Sequence, residues 1–261
     1  MYALVVTALL FLAVSFFYSM FGKGGGELFM VILVALEGLP YYKAAGITLF
    51  VLMLQGLSML LVYHRRLKLV DWLLAAMTGT VVAAAAFAGG YLAGELPARI
   101  LKLIFSSMLV ISAYLIVRGF SLKSARVPGP RIRRQTGGYV YEFNPLAVAA
   151  PVSLIAFLAA MAGISGGSLI VPVLVLLGGV PLRVAIGTNP FLVLVSSTFG
   201  FIAHSLRGGF DPRLALALGA SAVAGSQLGS RMHARLSDRA LRLLFAATML
   251  FAAAIMAARA L

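Results

Sequence analysis

Residues 22–46, GKGGGELFMVILVALEGLPYYKAAG, return as residues 163–187, GISGGSLIVPVLVLLGGVPLRVAIG, at a constant offset of 141. Identities include Gly22/Gly163, Gly25/Gly166, Gly26/Gly167, Gly38/Gly179, Pro40/Pro181 and Gly46/Gly187. A biased composition makes leucines and valines coincide, but it does not align five glycines and a proline. The similarity resumes where Leu101, Leu103 and Phe105 match Leu241, Leu243 and Phe245 at an offset of 140. The chain is a duplication, and the content of one copy decides the fold.

Around each glycine-rich block the sequence is apolar on all sides. The 261 residues are 62% hydrophobic and 11% charged, with a mean hydropathy of +1.05. A soluble domain is about half apolar and a quarter charged. Runs such as 1–21, 47–63, 73–92 and 184–206 approach or reach the roughly 20 residues that carry a helix across a bilayer. They lack the alternation of a membrane barrel. Each half holds five apolar segments: 2–21, 27–38, 43–63, 69–92 and 98–117, then 146–162, 168–178, 183–206, 212–230 and 239–259. Residues 1–118 and 144–261 thus read as two transmembrane repeats. The basic stretch 119–143 reads as the linker between them. The first run has no basic residue before it and reads as a retained helix rather than a signal peptide.

Five segments per copy turn the second copy upside down. The expected class is an all-α integral membrane fold of two inverted five-segment repeats, each with a broken or re-entrant Gly-rich element. The basic residues test the orientation independently. With the linker in the cytoplasm, Lys23, Arg65, Arg66, Lys68, Arg118, Lys123, Arg126, Arg131, Arg133, Arg134, Arg183, Arg231, Arg235, Arg239 and Arg242 fall inside. Lys43, Arg99, Lys102, Arg207, Arg213 and Arg259 fall outside. This distribution also explains the net charge of +14 without nucleic acid as a partner, because the charges lie between apolar runs. The sequence has no Cys, which excludes disulfides and thiolate metal sites.

The chemistry is expected at the breaks. Glycine runs stop helices, and open backbone at membrane depth persists only where protein buries it or where it lines a wet cavity. A short helix starting at Gly26 or Gly167 would aim N–H groups and its positive dipole end into that cavity, which suits an anion. Lys23, Gly24, Gly25, Gly26 and Thr48 in the first half are therefore candidate substrate ligands. Ser165, Gly166, Gly167, Ser168, Thr188 and Asn189 are their counterparts in the second, with Gln55, Ser58, Ser196 and Ser197 further along the same segments. Lys23 either serves an anion or marks the cytoplasmic edge by snorkelling. Glu27 pairs with Lys23, carries a proton or favours the short helix's start. His64 and His204, near the ends of their segments, are candidates for proton coupling, whereas His233 lies in a basic loop and reads as solvated. Gly90/Gly94 and Gly225/Gly229 read as close-packing pairs, and Asp211-Pro212 as a helix start.

These residues resemble the sulfite exporter TauE/SafE family, also described as toluene sulfonate uptake permeases. The resemblance rests on Gly-x-Gly-Gly-Gly-x-Leu in the first half and on Gly163-Ile164-Ser165-Gly166-Gly167-Ser168-Leu169-Ile170-Val171-Pro172 in the second. Gly178-Gly179-Val180-Pro181 and Ala185-Ile186-Gly187-Thr188-Asn189 reinforce it. The first copy departs from the pattern at Val31 and at Ile47-Thr48. The resemblance implies a secondary transporter in the bacterial inner membrane that moves a small sulfur-containing anion: sulfite, a sulfonate, sulfoacetate or thiosulfate. It implies an ion gradient as the driving force, with a proton or sodium ion as partner and no cofactor. A transporter or channel for another small ion is the alternative. An intramembrane enzyme is disfavoured, since the sequence brings no nucleophile or His-x-x-x-His pair together.

Overall fold

The structure is a computed structural model that describes residues 2–93, 95, 97–118, 129–206 and 210–258. Gly94, residues 119–128 of the linker, and Arg207 and Arg259 lie outside the described residues. The first half contains α1 (Tyr2–Ser19), α2 (Gly26–Leu36), α3 (Tyr41–Arg65), α4 (Trp72–Tyr91) and α5 (Ala98–Val117). The second contains α6 (Pro145–Met161), α7 (Gly167–Leu176), α8 (Leu182–Ser205), α9 (Pro212–Met232) and α10 (Asp238–Ala258). The helix starts repeat as the sequence does. Pro40 and Pro181 precede α3 and α8. Asp71 and Asp211 cap α4 and α9, each accepting from two backbone N–H groups of the first turn.

Helices α3, α4 and α8 are long and apolar enough to cross a membrane by length and composition. By contrast α2 and α7, with 11 and 10 residues, reach only about 16 Å at 1.5 Å per residue. Large apolar side chains including Leu9, Phe17, Ile111, Tyr114, Leu216 and Phe251 are exposed. That surface suits lipid rather than water.

Exchanging the halves leaves the main packing pattern unchanged. Helix α1 packs on α9 as α6 packs on α4, and α3 packs on α9 as α8 packs on α4. Helices α3 and α8 pack on each other, as do α5 and α10. Small residues allow the closest approaches. A Cβ on Gly229 would strike the Phe16 carbonyl of α1, and one on Gly89 would strike the Phe157 carbonyl of α6. The tight α4–α6 contact therefore falls on Gly89, one residue from the expected Gly90, which faces Gly200 and Ala203 of α8 instead.

The linker holds secondary structure that the all-α expectation omits. Strands β1 (Ile132–Thr136) and β2 (Tyr139–Phe143) form an antiparallel hairpin in the register Ile132↔Phe143 to Thr136↔Tyr139. The two-residue turn is Gly137-Gly138, both with positive φ, the geometry that matches the twist of a tight hairpin. Tyr141 and Phe143 are buried on one face while Val140 and Glu142 point outward. The hairpin rests on the α3–α4 loop, where a Cβ on Gly137 would fall 2.6 Å from Leu69 Cδ2.

Candidate functional site

In each break the left-handed glycine that stops one helix stands three residues before the left-handed glycine that precedes the next. Lys23 N–H donates to the Tyr18 carbonyl at 3.1 Å and Gly22 N–H to Ser19 at 3.1 Å. Their counterparts are Ile164 N–H to Ala159 at 2.9 Å and Gly163 N–H to Ala160 at 3.0 Å. This is the Schellman stop, which needs a left-handed residue just past the helix. Gly22 and Gly163 supply it with φ of 61° and 70°. Gly25 and Gly166, also left-handed, then precede α2 and α7, and neither offers a side-chain cap. The first-turn N–H groups of the two short helices thus lack the side-chain acceptor that most soluble helices place there.

The breaks cross onto the opposite halves. A Cβ on Gly22 would strike the Ile186 carbonyl of α8, and one on Gly163 would fall 2.8 Å from Ala45 Cα of α3. Ala45 and Ile186 are themselves repeat mates. Pro190 explains the first approach: it has no N–H to offer the Ile186 carbonyl four residues back, and the Gly22 backbone covers that carbonyl instead. Next to it, Asn189 Nδ2 donates to the Gly22 carbonyl at 2.7 Å, so α8 is fastened to the first break. The same amide lies over the start of α7, because a Cβ on Gly167 would fall 2.9 Å from Asn189 Nδ2.

Along the α3–α8 interface, several fully buried polar atoms have no hydrogen-bond partner. They are Thr48 Oγ1, both amide atoms of Gln55, Asn189 Oδ1 and Ser196 Oγ. Thr48 and Asn189 are repeat mates, and so are Gln55 and Ser196. Buried polar atoms normally find partners, and each orphan costs about 1–3 kcal/mol. The orphans thus recur at the same positions in both halves. Ser165 and Ser168 are also buried at the second break.

The other expected residues are divided among different surroundings. Lys23 is fully buried, yet its Nζ turns toward α10, 3.2 Å from Thr248 Oγ1 and over the rings of Tyr18 and Phe245. Among the described residues it forms no ion pair. A cleft of about 560 Å³, lined by apolar residues together with Tyr18 and Thr248, opens beside these partners between α1 and α10. Glu27 is buried in the first turn of α2. Thr188 is spoken for, since its hydroxyl accepts from Asp71 N–H at 3.1 Å. His64 is exposed and accepts from Trp72 Nε1 at 3.3 Å.

His204 turns out to be the repeat mate of Tyr63. Its Nε2 donates to the Ala160 carbonyl at 2.9 Å, as Tyr63 donates to Ser19 and Met20 at 2.9 Å. Both residues add a second donor to the carbonyl that already accepts the stop glycine's N–H, Ser19 in the first half and Ala160 in the second, and Tyr63 also serves Met20. His233 corrects the expectation of a solvated side chain: it is fully buried and donates from Nδ1 to Met20 at 2.8 Å. The short 3-10 turn His233–Arg235 after α9 brings it beneath the first break, against Tyr63.

One residue outside the expected set organises the linker side of the site. Asp71 is buried at the start of α4 and accepts from Arg134 Nε at 3.0 Å, Thr136 Oγ1 at 2.8 Å and the Tyr141 hydroxyl at 2.9 Å. Burial opposes its charge, but the donors from Arg134, the Leu74 N–H, Thr136 and Tyr141 outweigh it and hold the carboxyl below its ordinary range. Through Thr188, the same residue reaches α8 one position before Asn189. An Asp directly before the apolar run at Trp72 is a helix-start signal. Nothing in the sequence shows that it also receives the linker.

The family model described as Sulfite exporter TauE/SafE matches residues 7–256. The chain is similar to the Probable membrane transporter protein YunE of Bacillus subtilis (strain 168), at 26% identity over 233 residues, 85% of each chain. No solved structure matches it. With the family model spanning nearly the whole chain, from α1 to α10, this protein is a member of the TauE/SafE family of membrane transporters.

Proposed function

We propose that the protein is a secondary transporter for a small sulfur-containing oxyanion, a sulfite, sulfonate, sulfoacetate or thiosulfate, bound between the two helix breaks near mid-membrane. The observation that carries this reading is the paired set of orphaned polar atoms on α3 and α8, beside two short helices whose starts lack side-chain caps. Uncapped N–H groups and a positive dipole end favour an anion. The odd number of helices per repeat, with packing that survives exchange of the halves, supports an inverted pair. Alternating access then follows from rocking one half against the other about the α3–α8 crossing. The linker hairpin lies on the cytoplasmic side of the inner membrane in this arrangement, as the surplus of Lys and Arg there favours. Glu27, buried and without an ion-pair partner among the described residues, is the proposed carrier of a coupling proton.

The test is flux into proteoliposomes loaded with the purified chain, using sulfite, methanesulfonate, sulfoacetate and thiosulfate with and without a proton or sodium gradient. Saturable uptake of at least one anion is expected, with Glu27→Gln losing gradient-driven accumulation while retaining exchange. Uptake no greater than in protein-free vesicles for every anion would refute the substrate class.

A further inference from the structure

Asn189 is an asymmetric ligand, and its orientation is fixed by its neighbour. The Gly22 carbonyl only accepts, so the amide atom 2.7 Å from it is the nitrogen. The other amide atom, Oδ1, is therefore a carbonyl oxygen. It is fully buried and has no donor. A pure anion site would present donors alone: N–H groups, hydroxyls, a cation. This one presents an acceptor as well, over the first residue of α7. Gln55 repeats the demand on α3, where both its Oε1 and Nε2 are buried without partners. The Thr48 hydroxyl adapts to either role, so Asn189 Oδ1 sets the requirement at the break.

We infer that the site selects anions that carry a hydrogen-bond donor of their own, with the anionic oxygens toward the uncapped helix starts and an N–H or O–H of the same molecule on Asn189 Oδ1. This inference rests on the reading of the breaks as an oxyanion site and adds a discrimination that the reading does not contain. An anion without a donor leaves Oδ1 buried and unpaired, and a site built to hydrogen-bond a group rejects the analogue that lacks it. A monoprotonated oxyanion is then preferred to its fully deprotonated form.

Sulfamate and methanesulfonate make the test. Both are monoanions of nearly the same shape, and they differ in an amino group against a methyl group on sulfur. Titration calorimetry on the purified full chain in detergent should give sulfamate an affinity about tenfold tighter, the size of one buried hydrogen bond. In Asn189→Ala the ratio should fall toward one. Equal affinities in the unaltered protein would overturn the inference and leave the oxyanion site standing. A preference that persists undiminished in folded Asn189→Ala would overturn the assignment to this residue. Binding of neither anion, with sulfite and thiosulfate also silent, would remove the oxyanion site and the inference together.

Discussion

Gly22→Ala and Gly163→Ala are expected to abolish transport and to lower the yield of folded protein sharply, while Gly38→Ala lowers the yield only mildly and keeps transport. All three glycines have positive φ, so each substitution incurs the left-handed penalty of about 1–2 kcal/mol. The environments separate them. At Gly22 the new methyl collides with the Ile186 carbonyl, and at Gly163 with Ala45, whereas at Gly38 nothing lies within 4 Å. Backbone on a packed helix does not step aside as a side-chain tip does, so several further kcal/mol are lost at the two breaks, with overpacking alone costing about 1–3. Folded yield by detergent size-exclusion chromatography and flux in proteoliposomes read the two effects. Equal damage from Gly38→Ala would mean that the left-handed backbone, and not the crossing of the breaks onto α3 and α8, is what matters.

Asp71→Ala is expected to release the linker hairpin and lower stability by about 3 kcal/mol. It removes a helix cap worth about 1 kcal/mol and leaves the buried Tyr141 hydroxyl without its acceptor. Limited proteolysis should then cut between residues 129 and 144, which the intact protein protects. Acid should mimic the mutation. Because the carboxyl is held below its ordinary range in the folded state, its contribution is full above the unfolded value near about 4. It is lost as pH falls through the lower folded value. Hairpin protection should therefore be constant from about pH 8 to 5 and fail only under stronger acid, with Asp71→Ala showing no such transition. Protection that changes near neutrality would contradict the assignment to Asp71.

Much of this fold is legible in the sequence because its determinants are local and duplicated. The five-segment boundaries, the stops at Gly22 and Gly163 and the helix starts at Asp211 and Pro212 each depend on a few adjacent residues with strong backbone preferences. The paired orphan atoms fall where the aligned polar positions Thr48/Asn189 and Gln55/Ser196 point.

The parts that escape the sequence depend on which distant surfaces meet. His204 and His64 look alike as segment-end histidines, and although the offset of 141 pairs His204 with Tyr63, their shared role of donating to a carbonyl at the end of α1 or α6, which a phenol fills as well as an imidazole, shows only in the packing. His233 sits among arginines in sequence, but the turn after α9 folds it under the first break. The hairpin does leave a local signal, Gly137-Gly138 between the alternating Ile132–Thr136 and Tyr139–Phe143. A basic, polar stretch between two membrane repeats masks it. Asp71 carries a cap signal and nothing more; its role as an anchor requires the linker to return to it.

The central proposal is that an anion occupies the space between the two breaks. The chain has no Cys, so Ser165→Cys places the single thiol of the protein at the second break, and Leu36→Cys places one at the exposed far end of α2 as a control. Alkylation rates of each are measured in proteoliposomes with and without sulfamate or sulfoacetate. The proposal predicts slowing at position 165, saturating with anion concentration, and no change at position 36. Alkylation at position 165 that is absent, or that proceeds at one rate whatever the anion, would contradict it.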